Sequence, residues 1–243
     1  MRLARTLSVA CACAVAAAVS RAQVPDAQDP WAGSLGLAYV STSGNSETSN
    51  LGLDLALKRK PTPWGLDVAA GLARAENSGV KTAERSFARG RAERSLSARW
   101  SLFGGGAAEK DKFAGFDLRF TVETGAKYSA LAGPVHELSL DGGLTWTRED
   151  PVGFASYDHF GALLGLAYAW KFSGTAILTE RILWYPNFDK ASDWRLTSET
   201  AVQAALSTRL ALKAAYSFRF DNQPVPGFED TDTATTLSLI LGL

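Results

Sequence analysis

The sequence predicts an all-β protein, a transmembrane antiparallel up-and-down β-barrel of about 12 strands. Apolar and polar side chains alternate along segment after segment of the chain, the segments are about ten residues or longer, and short and long connections alternate between them. Composition alone would fit a soluble domain, since the 243 residues are 46% hydrophobic and 21% charged with a formal net charge of +0. The fold class therefore rests on the pattern.

The N-terminus has the pattern of a secretory signal peptide. Arg2 and Arg5 precede an apolar run over residues 7–19, and small residues follow up to Ala22. We therefore expect cleavage after Ala22, with a signal peptide at 1–22, a short polar periplasmic lead at 23–30 and an outer-membrane barrel at 31–243. Both cysteines, Cys11 and Cys13, lie in the leader, so the exported chain is expected to have no disulfide. Lipid attachment at Cys11 is an alternative, with a very short apolar segment before it.

The charge of the exported chain excludes one class of function. Removing the leader takes three arginines away, which leaves 22 basic against 25 acidic residues. There is then no basic excess to attract nucleic acid. After residue 30 no run approaches the roughly 18 apolar residues of a membrane helix, so if the exported chain spans a membrane it must do so as strands.

Twelve segments alternate in hydrophobicity. In the second, four leucines from Leu51 to Leu57 oppose Asn50 and Asp54, and in the sixth Phe120 and Val122 oppose Arg119 and Glu123. The fourth differs, because its apolar face consists of small residues opposite four charged ones. Gly and Pro turn sequences separate the first three segments. The predicted strands are 34–41, 48–59, 64–76, 83–95, 99–108, 118–128, 137–147, 159–170, 175–185, 195–206, 210–221 and 233–243.

Three features favour a membrane barrel over a soluble β-sandwich. The strands have the length that crosses a bilayer when tilted, whereas soluble strands average about five or six residues. With both termini periplasmic, the inner turns are mostly short, at 60–63, 96–98, 129–135, 171–173 and 207–209. The outer loops are longer, at 109–116, 148–157, 186–193 and 222–231, as in outer-membrane barrels. Tryptophans lie near strand ends, where the membrane interface is expected: Trp64, Trp100, Trp146, Trp170 and Trp184.

The last strand alternates to the final residue, with leucines at 237, 239, 241 and 243. Such a terminal strand is what the barrel-assembly machinery recognises, although Phe more often occupies the final position than Leu243. An even number of strands closes the sheet and leaves no unpaired edge in lipid.

Four motifs carry a resemblance to a known family. They are YVSTSGNSETSNLGLDL at 39–55, AERSFARGRAE at 83–93, EKDKFAGFDLR at 109–119 and DTDTATTLSLILGL at 230–243. Together they resemble the salt-induced outer-membrane protein family, a domain-of-unknown-function family of Gram-negative outer-membrane barrels. The resemblance covers essentially all of the exported chain. It implies a monomeric barrel in the cell outer membrane and a link to salt, and it brings no substrate, cofactor or catalytic residue.

The charged residues on the polar faces are the first candidate site. One interpretation is a polar path for small solutes or ions, with the charges setting selectivity. The other is that the charges pair across a narrow lumen and plug it. Pairing is favoured because the arginine-rich fourth strand faces acidic positions on the sixth and seventh. The candidates are Asp54, Arg85, Arg89, Arg91, Glu93, Asp117, Arg119, Glu123, Lys127, Glu137, Asp141, Lys213 and Arg219.

The predicted outer loop at 109–116 is the second candidate site, with Glu109, Asp111, Lys112, Phe113 and Gly115 as its residues. Oxygen ligands at short spacing suit calcium, but the interleaved lysines oppose a metal site, and we predict none. Contact between the lysines and lipopolysaccharide phosphates, or a loop folded over the pore mouth, is the alternative. We predict no cofactor.

Catalysis at the membrane is a third possibility. His159 stands at the start of the eighth strand, close to Ser156, but the alternation points it inward, and no acidic residue completes a triad spacing. His136 is placed at the periplasmic end. The sequence therefore predicts no enzyme. We expect a narrow conduit for solutes or ions, or a structural or adhesive envelope barrel with a plugged lumen. The expected partners are outer-membrane lipid, lipopolysaccharide and the assembly machinery, while the apolar outward faces suit lipid and a neighbouring barrel equally.

Overall fold

A computed structural model describes residues 31–42 and 48–242 of the chain. The predicted signal peptide and lead, the connection at 43–47 and Leu243 lie outside the described residues. The described chain contains twelve β-strands and one short 3-10 helix, η1 (Lys112–Ala114). The strands are β1 (Trp31–Thr42), β2 (Thr48–Arg59), β3 (Trp64–Asn77), β4 (Val80–Ser95), β5 (Trp100–Asp111), β6 (Phe116–Ala132), β7 (His136–Pro151), β8 (Tyr157–Trp170), β9 (Ala176–Pro186), β10 (Trp194–Ala205), β11 (Leu210–Asp221) and β12 (Thr231–Gly242).

The strands close into a single barrel. Each strand pairs antiparallel with its neighbours in sequence, and β12 returns to pair with β1. This confirms the predicted closed twelve-stranded antiparallel barrel. No helix in the described part of the chain is long and apolar enough to cross a membrane.

The two ends of the barrel differ. The turn end carries the connections at 60–63, 96–99, 133–135, 171–175 and 206–209, of three to five residues each. The loop end carries those at 43–47, 78–79, 112–115, 152–156, 187–193 and 222–230, of which the last two are the longest in the chain. The asymmetry follows the prediction, although the two-residue turn after β3 is as tight as any at the other end.

The barrel wall is apolar outside and polar inside. Exposed large side chains such as Leu53, Leu144, Phe160 and Leu239 line the outward face along the strands. The inward positions hold most of the buried polar groups, including Thr145, Thr147 and Glu149. A soluble protein buries its apolar side chains and exposes its polar ones. An apolar outward face around a polar interior is the arrangement expected of a barrel that lies between lipid and a polar lumen.

The strand ends differ from the prediction in one region with functional consequences. β5 continues to Asp111 and β6 begins at Phe116, so the predicted outer loop at 109–116 reduces to residues 112–115. Glu109 and Asp111 therefore belong to a strand, and their side chains enter the lumen. The register between β6 and β7 shifts between Phe116 and Leu118, which reverses the alternation at Asp117. The prediction that Asp117 faces the lumen is wrong, since its half-exposed carboxylate binds Lys112 at the loop end.

Candidate functional site

The lumen carries two groups of paired charges. The wall cluster comprises residues of β4 to β7 on one side of the barrel: Arg91, Glu93, Phe103, Glu123, Lys127 and Asp141. The bridging cluster lies at the loop end and connects opposite walls: Arg85, Glu109, Asp111, Arg119, Glu149, Arg219 and Asp221. Three of these residues, Glu109, Asp111 and Glu149, were predicted to lie in outer loops rather than in the lumen.

Arg91 is the centre of the wall cluster. Its Nη1 lies 2.8 Å from Oδ2 of Asp141 on β7 and 3.8 Å from Oε1 of Glu123 on β6. All three side chains are at least four-fifths buried. Lys127 binds Glu93 beside them, with Nζ 2.9 Å from Oε2. The predicted pairing of the fourth strand with the sixth and seventh is confirmed.

The aromatic ring of Phe103 packs against Arg91 of this cluster. The guanidinium carbon of Arg91 lies 3.5 Å from the centre of the Phe103 ring, close enough for a cation–π interaction. The ring has room because the inward positions on β6 and β7 beside it are Gly125 and Gly143. A Cβ at either glycine would come within 2.7 Å or 3.1 Å of the ring. The sequence signal for this packing is the pair of glycines at lumen positions.

Arg219 makes the bridge between opposite walls. Its Nη1 lies 3.2 Å from Oε1 of Glu109 and 3.4 Å from Oδ2 of Asp111. In the ring of twelve strands, β11 and β5 are six strands apart, so this interaction crosses the full lumen. Arg85 on β4 pairs with the same Glu109 carboxylate. One acidic residue is thus held by two arginines from different walls.

Arg119 makes a second crossing. It lies 2.5 Å from Glu149 on the adjacent β7 and 3.4 Å from Asp221 on β11, five strands away. Its guanidinium also stacks 4.0 Å from the Phe116 ring, which is almost fully buried. Tyr157 donates to the other oxygen of Glu149 at 3.3 Å. The bridging cluster therefore ties β5, β6 and β7 to β11 across the loop end.

The connections at the loop end close over this cluster. Asp111 caps η1 by accepting from the Ala114 amide at 3.1 Å, and Gly115 ends the helix with φ 91°. A Cβ on Gly115 would lie 3.1 Å from Val225 and Phe228, which belong to the β11–β12 connection. Two connections from opposite sides of the barrel therefore touch above the lumen, as one interpretation of the sequence predicted for 109–116.

The three carboxylates that were weighed as a calcium site have other partners. The Glu109 carboxylate binds Arg85 and Arg219. The Asp111 carboxylate binds Arg219 and the Ala114 amide of η1, and the Asp117 carboxylate binds Lys112. In the described ranges no group of three or more acidic or histidine residues is placed to hold a metal. The hydrogen bond from Lys112 to Asp117 raises the pKa of this lysine, because it favours the charged ammonium. Phe113 lies partly exposed between them.

The other lumen charges have fewer partners. Lys213 pairs with Glu199 on the adjacent strand at 2.8 Å. Asp54 and Arg89 are exposed to the lumen and form no ion pair with another described residue. Glu137 lies at the turn end itself and pairs with Lys171 at 2.6 Å.

The histidines occupy the predicted ends. His159 is 9% exposed and faces inward at the loop end, and no hydrogen bond joins it to Ser156 among the described residues. His136 lies at the turn end, where its Nδ1 is 2.8 Å from the Tyr168 hydroxyl.

The sequence did not reveal the ion pairs that two acidic residues of the bridging cluster form with Arg119. Glu149 was assigned to a loop, although it follows Thr145 and Thr147 in phase on the inward face, and extending the alternation would have found it. Asp221 was recognised as inward but not as the partner of Arg119, because the pairing depends on how the sheet closes.

The family model described as "Protein of unknown function, DUF481" matches residues 35–243 of the chain. The protein belongs to this family. It is 28% identical over 225 residues to the uncharacterised protein YdiY of Escherichia coli (strain K12), covering 88% of this chain and 83% of that relative. The family match agrees with the resemblance that the sequence motifs carry.

Solved structures similar to this DUF481 barrel are outer-membrane barrels at low sequence identity. The translocator domain of the autotransporter NalP from Neisseria meningitidis aligns over 87% of this chain and 86% of that one, with a TM-score of 0.48 and 12% identity. The NanC porin aligns over 87% and 97%, with a TM-score of 0.49 and 10% identity. An anion-selective porin from Comamonas acidovorans aligns over 88% and 98%, with a TM-score of 0.43 and 12% identity.

Proposed function

We propose that the protein is a narrow outer-membrane conduit for small ions or solutes, closed at its loop end by the bridging cluster. The observation that carries the proposal is that ion pairs cross the lumen at its loop end. Arg219 and Arg119 reach acidic residues across the barrel, while Asp54 and Arg89, in the middle of β2 and β4, face the lumen without ion pairs to described residues. Side-chain closure is reversible without refolding, and charges along a path select among ions.

The bridging cluster also supports a link to salt. Its side chains are between 6% and 32% exposed, so water and dissolved ions reach part of it. Screening shortens from about 10 Å at 0.1 M salt to about 3 Å at 1 M. The cross-lumen pairs therefore weaken as ionic strength rises, and the conduit is expected to open more often.

Planar-bilayer recording of the purified barrel tests the proposal. Arg219→Ala removes the bridge between β11 and β5, so we expect open probability or unit conductance to rise on the order of a few-fold. Lys213→Ala is the matched control, because it removes the same charge from the same face of β11 but contacts only adjacent β10. Recordings at 0.1 M and 1 M KCl measure the salt response.

The conduit is overturned if neither the wild type nor Arg219→Ala forms channels over repeated reconstitutions with correctly folded protein. Closure by the bridging cluster is overturned by an equal effect of Arg219→Ala and Lys213→Ala, which would mean that net charge rather than the bridge governs current.

A structural or adhesive envelope barrel with a plugged lumen is the second candidate. The close packing beside β7 and β8 favours it, since Thr147 and Leu163 are each 1% exposed and Phe103 is 4% exposed. This candidate expects no current in any of the variants above. A barrel enzyme acting on lipid is a minor alternative without supporting geometry, because His159 faces the lumen rather than the lipid, and we propose no catalytic role.

The proposed location is the cell outer membrane, with the loop end outward. The leucine-rich outward face supports contact with lipid, and the exposed lysines of the loop end, such as Lys112, suit lipopolysaccharide phosphates. The alternating leucines of β12 support recognition by the barrel-assembly machinery. We propose a monomer that binds no nucleic acid.

A further inference from the structure

A cavity of about 550 Å³ lies at the loop end, beside the bridging cluster. The connections at 152–156, 187–193 and 222–230 surround it, together with the loop ends of β7 and β8. Its volume falls in the range of small-molecule sites, about 300–1,000 Å³. Neither the conduit nor its closure requires a cavity here.

His159 is a buried polar group that lines this cavity without a partner. The residue is 9% exposed, and its Nδ1 has no hydrogen bond in the described part of the chain. The only ring beside it is Tyr157, with centroids 6.0 Å apart, among the aromatic contacts of the described residues. Buried polar atoms are rarely left without partners, so this imidazole has hydrogen-bonding capacity that a ligand can fill.

The carboxylates of the cavity also have unused acceptors. Asp189 makes no side-chain hydrogen bond or ion pair with another described residue, and Asp193 uses only Oδ2, which accepts from Asn187 at 2.8 Å. The lining ammonium, Lys190, already donates to Gln223 at 2.7 Å. The cavity therefore offers free acceptors and three carboxylates against one ammonium group, which is already bonded to the lining residue Gln223.

The remaining lining is apolar. Phe154 is exposed toward this side, and Pro151, Pro224 and Pro226 contribute carbon surface without amide donors. A ligand that satisfies the whole lining must combine N–H donors and positive charge with a short hydrocarbon body. A bare metal ion does not meet this requirement, and an anion is repelled by the carboxylates.

We propose that the loop-end cavity binds a small aliphatic ammonium compound. Asp189 and Asp193 receive its ammonium group, and His159 accepts or donates one further hydrogen bond. Its methylene groups pack against Phe154 and the prolines, and the Tyr157 ring, which also lines the cavity, offers its face to the cation. This site is independent of the proposed conduit, since it holds whether or not current passes.

Isothermal titration of the full barrel in detergent micelles tests the proposal with 1,4-diaminobutane as the probe. We expect saturable binding, with 1,4-butanediol and Mg²⁺ each binding about tenfold more weakly or not at all, because one lacks charge and the other lacks the carbon chain. Asp189→Asn is expected to weaken diamine binding about tenfold. Glu229→Gln is the matched control, since it removes an exposed loop-end charge that does not line the cavity.

His159→Phe provides a second variant that keeps an aromatic ring and removes the hydrogen bond; its expected effect is a several-fold loss of diamine affinity. Heat-dependent gel mobility checks that each variant is folded. Equal weakening by Asp189→Asn and Glu229→Gln, equal affinity for the diamine and the diol, or no saturable heat from folded wild-type barrel would each overturn the site. None of these results bears on bilayer current, so failure of the site and failure of the conduit are distinguishable.

Discussion

At the scale of single residues, the wall cluster depends on two positions that have no side chain. Gly125 and Gly143 leave the space that the Phe103 ring occupies, and the ring supports Arg91 where it binds Asp141. A buried charge pair contributes to stability only when its geometry is good, and loss of one partner leaves the other uncompensated. The glycines therefore act on the ion pair through the aromatic ring.

Gly125→Ala is expected to destabilise the barrel by about 1–3 kcal/mol, the usual cost of overpacking. The new Cβ would lie 2.7 Å from Phe103 and 2.6 Å from the Gly143 Cα, and backbone cannot move aside cheaply. Gly142→Ala is the matched control on the neighbouring strand, because a Cβ there meets nothing within 4 Å. Urea unfolding in lipid vesicles, followed by tryptophan fluorescence, measures the difference. Equal stability of the two variants would contradict this packing role.

Alternation of polarity was sufficient to place most lumen residues correctly. It succeeded for Arg91, Glu123 and Asp141 because these positions lie in the middle of strands, where a period of two is maintained. It failed for Asp117, because a bulge inserts one residue and reverses the faces locally. A single sequence carries no clear signal for such a bulge.

At the scale of elements, the existence of all twelve strands was predictable but their loop ends were not. The charged residues near Glu109 and Asp111 resemble loop sequence, yet both positions lie in β5 because arginines from other strands neutralise them. Those partners are distant in sequence. Strand bounds at the loop end are therefore set by tertiary pairing rather than by local composition.

The contact between the two connections above the lumen leads to a prediction of a disulfide. A Cβ at position 115 lies 3.1 Å from the Val225 Cβ, slightly closer than the roughly 3.5–4.5 Å of disulfides. We therefore expect the variant Gly115→Cys with Val225→Cys to crosslink in air with a shift of a few tenths of an ångström. Outside the predicted leader the sequence has no cysteine to compete.

The control for this crosslink is Gly79→Cys with Val225→Cys. Gly79 also has positive φ at a loop-end turn, so both substitutions carry similar backbone strain, but a Cβ there meets nothing within 4 Å. Non-reducing gels and mass spectrometry of the digested protein identify the bond. If the control pair oxidises as completely as the 115–225 pair, the connections move freely and do not rest against each other.

At the scale of the whole molecule, closure of the sheet determines which charges meet. The order of strands in the ring places β11 opposite β5. The register of each strand pair determines which residues lie at the same height along the barrel axis. The sequence predicts the number of strands and which side chains face the lumen. The stagger of the closed barrel, however, is the sum of the register offsets of all twelve strand pairs. For this reason the pairing of Arg219 with Glu109 could not be derived, although alternation does place Arg219 in the lumen.

Among the described residues, the closing seam between β1 and β12 has fewer registered residue pairs than any other two neighbouring strands. Its registered pairs run from Ser34 with Gly242 to Leu37 with Leu239, four in all among the described residues, against fifteen between β6 and β7. Opening free energies vary within a protein, and regions with few paired backbone groups open first. We therefore expect amides of β1 and β12 in this seam to exchange with deuterium at least about tenfold faster than those of β6 and β7.

Hydrogen–deuterium exchange with mass spectrometry on the barrel in lipid nanodiscs measures this difference. Peptides that contain residues 34–37 and 239–242 must be compared with peptides from the turn-end part of β6 and β7, because strand ends fray in any barrel. The Gly142→Ala variant serves as a reference that leaves both seams intact. Equal protection of the two seams would show that lipid, rather than the number of strand pairs, limits opening. Faster exchange confined to β1 and β12 would identify the seam as the place where the barrel opens most easily.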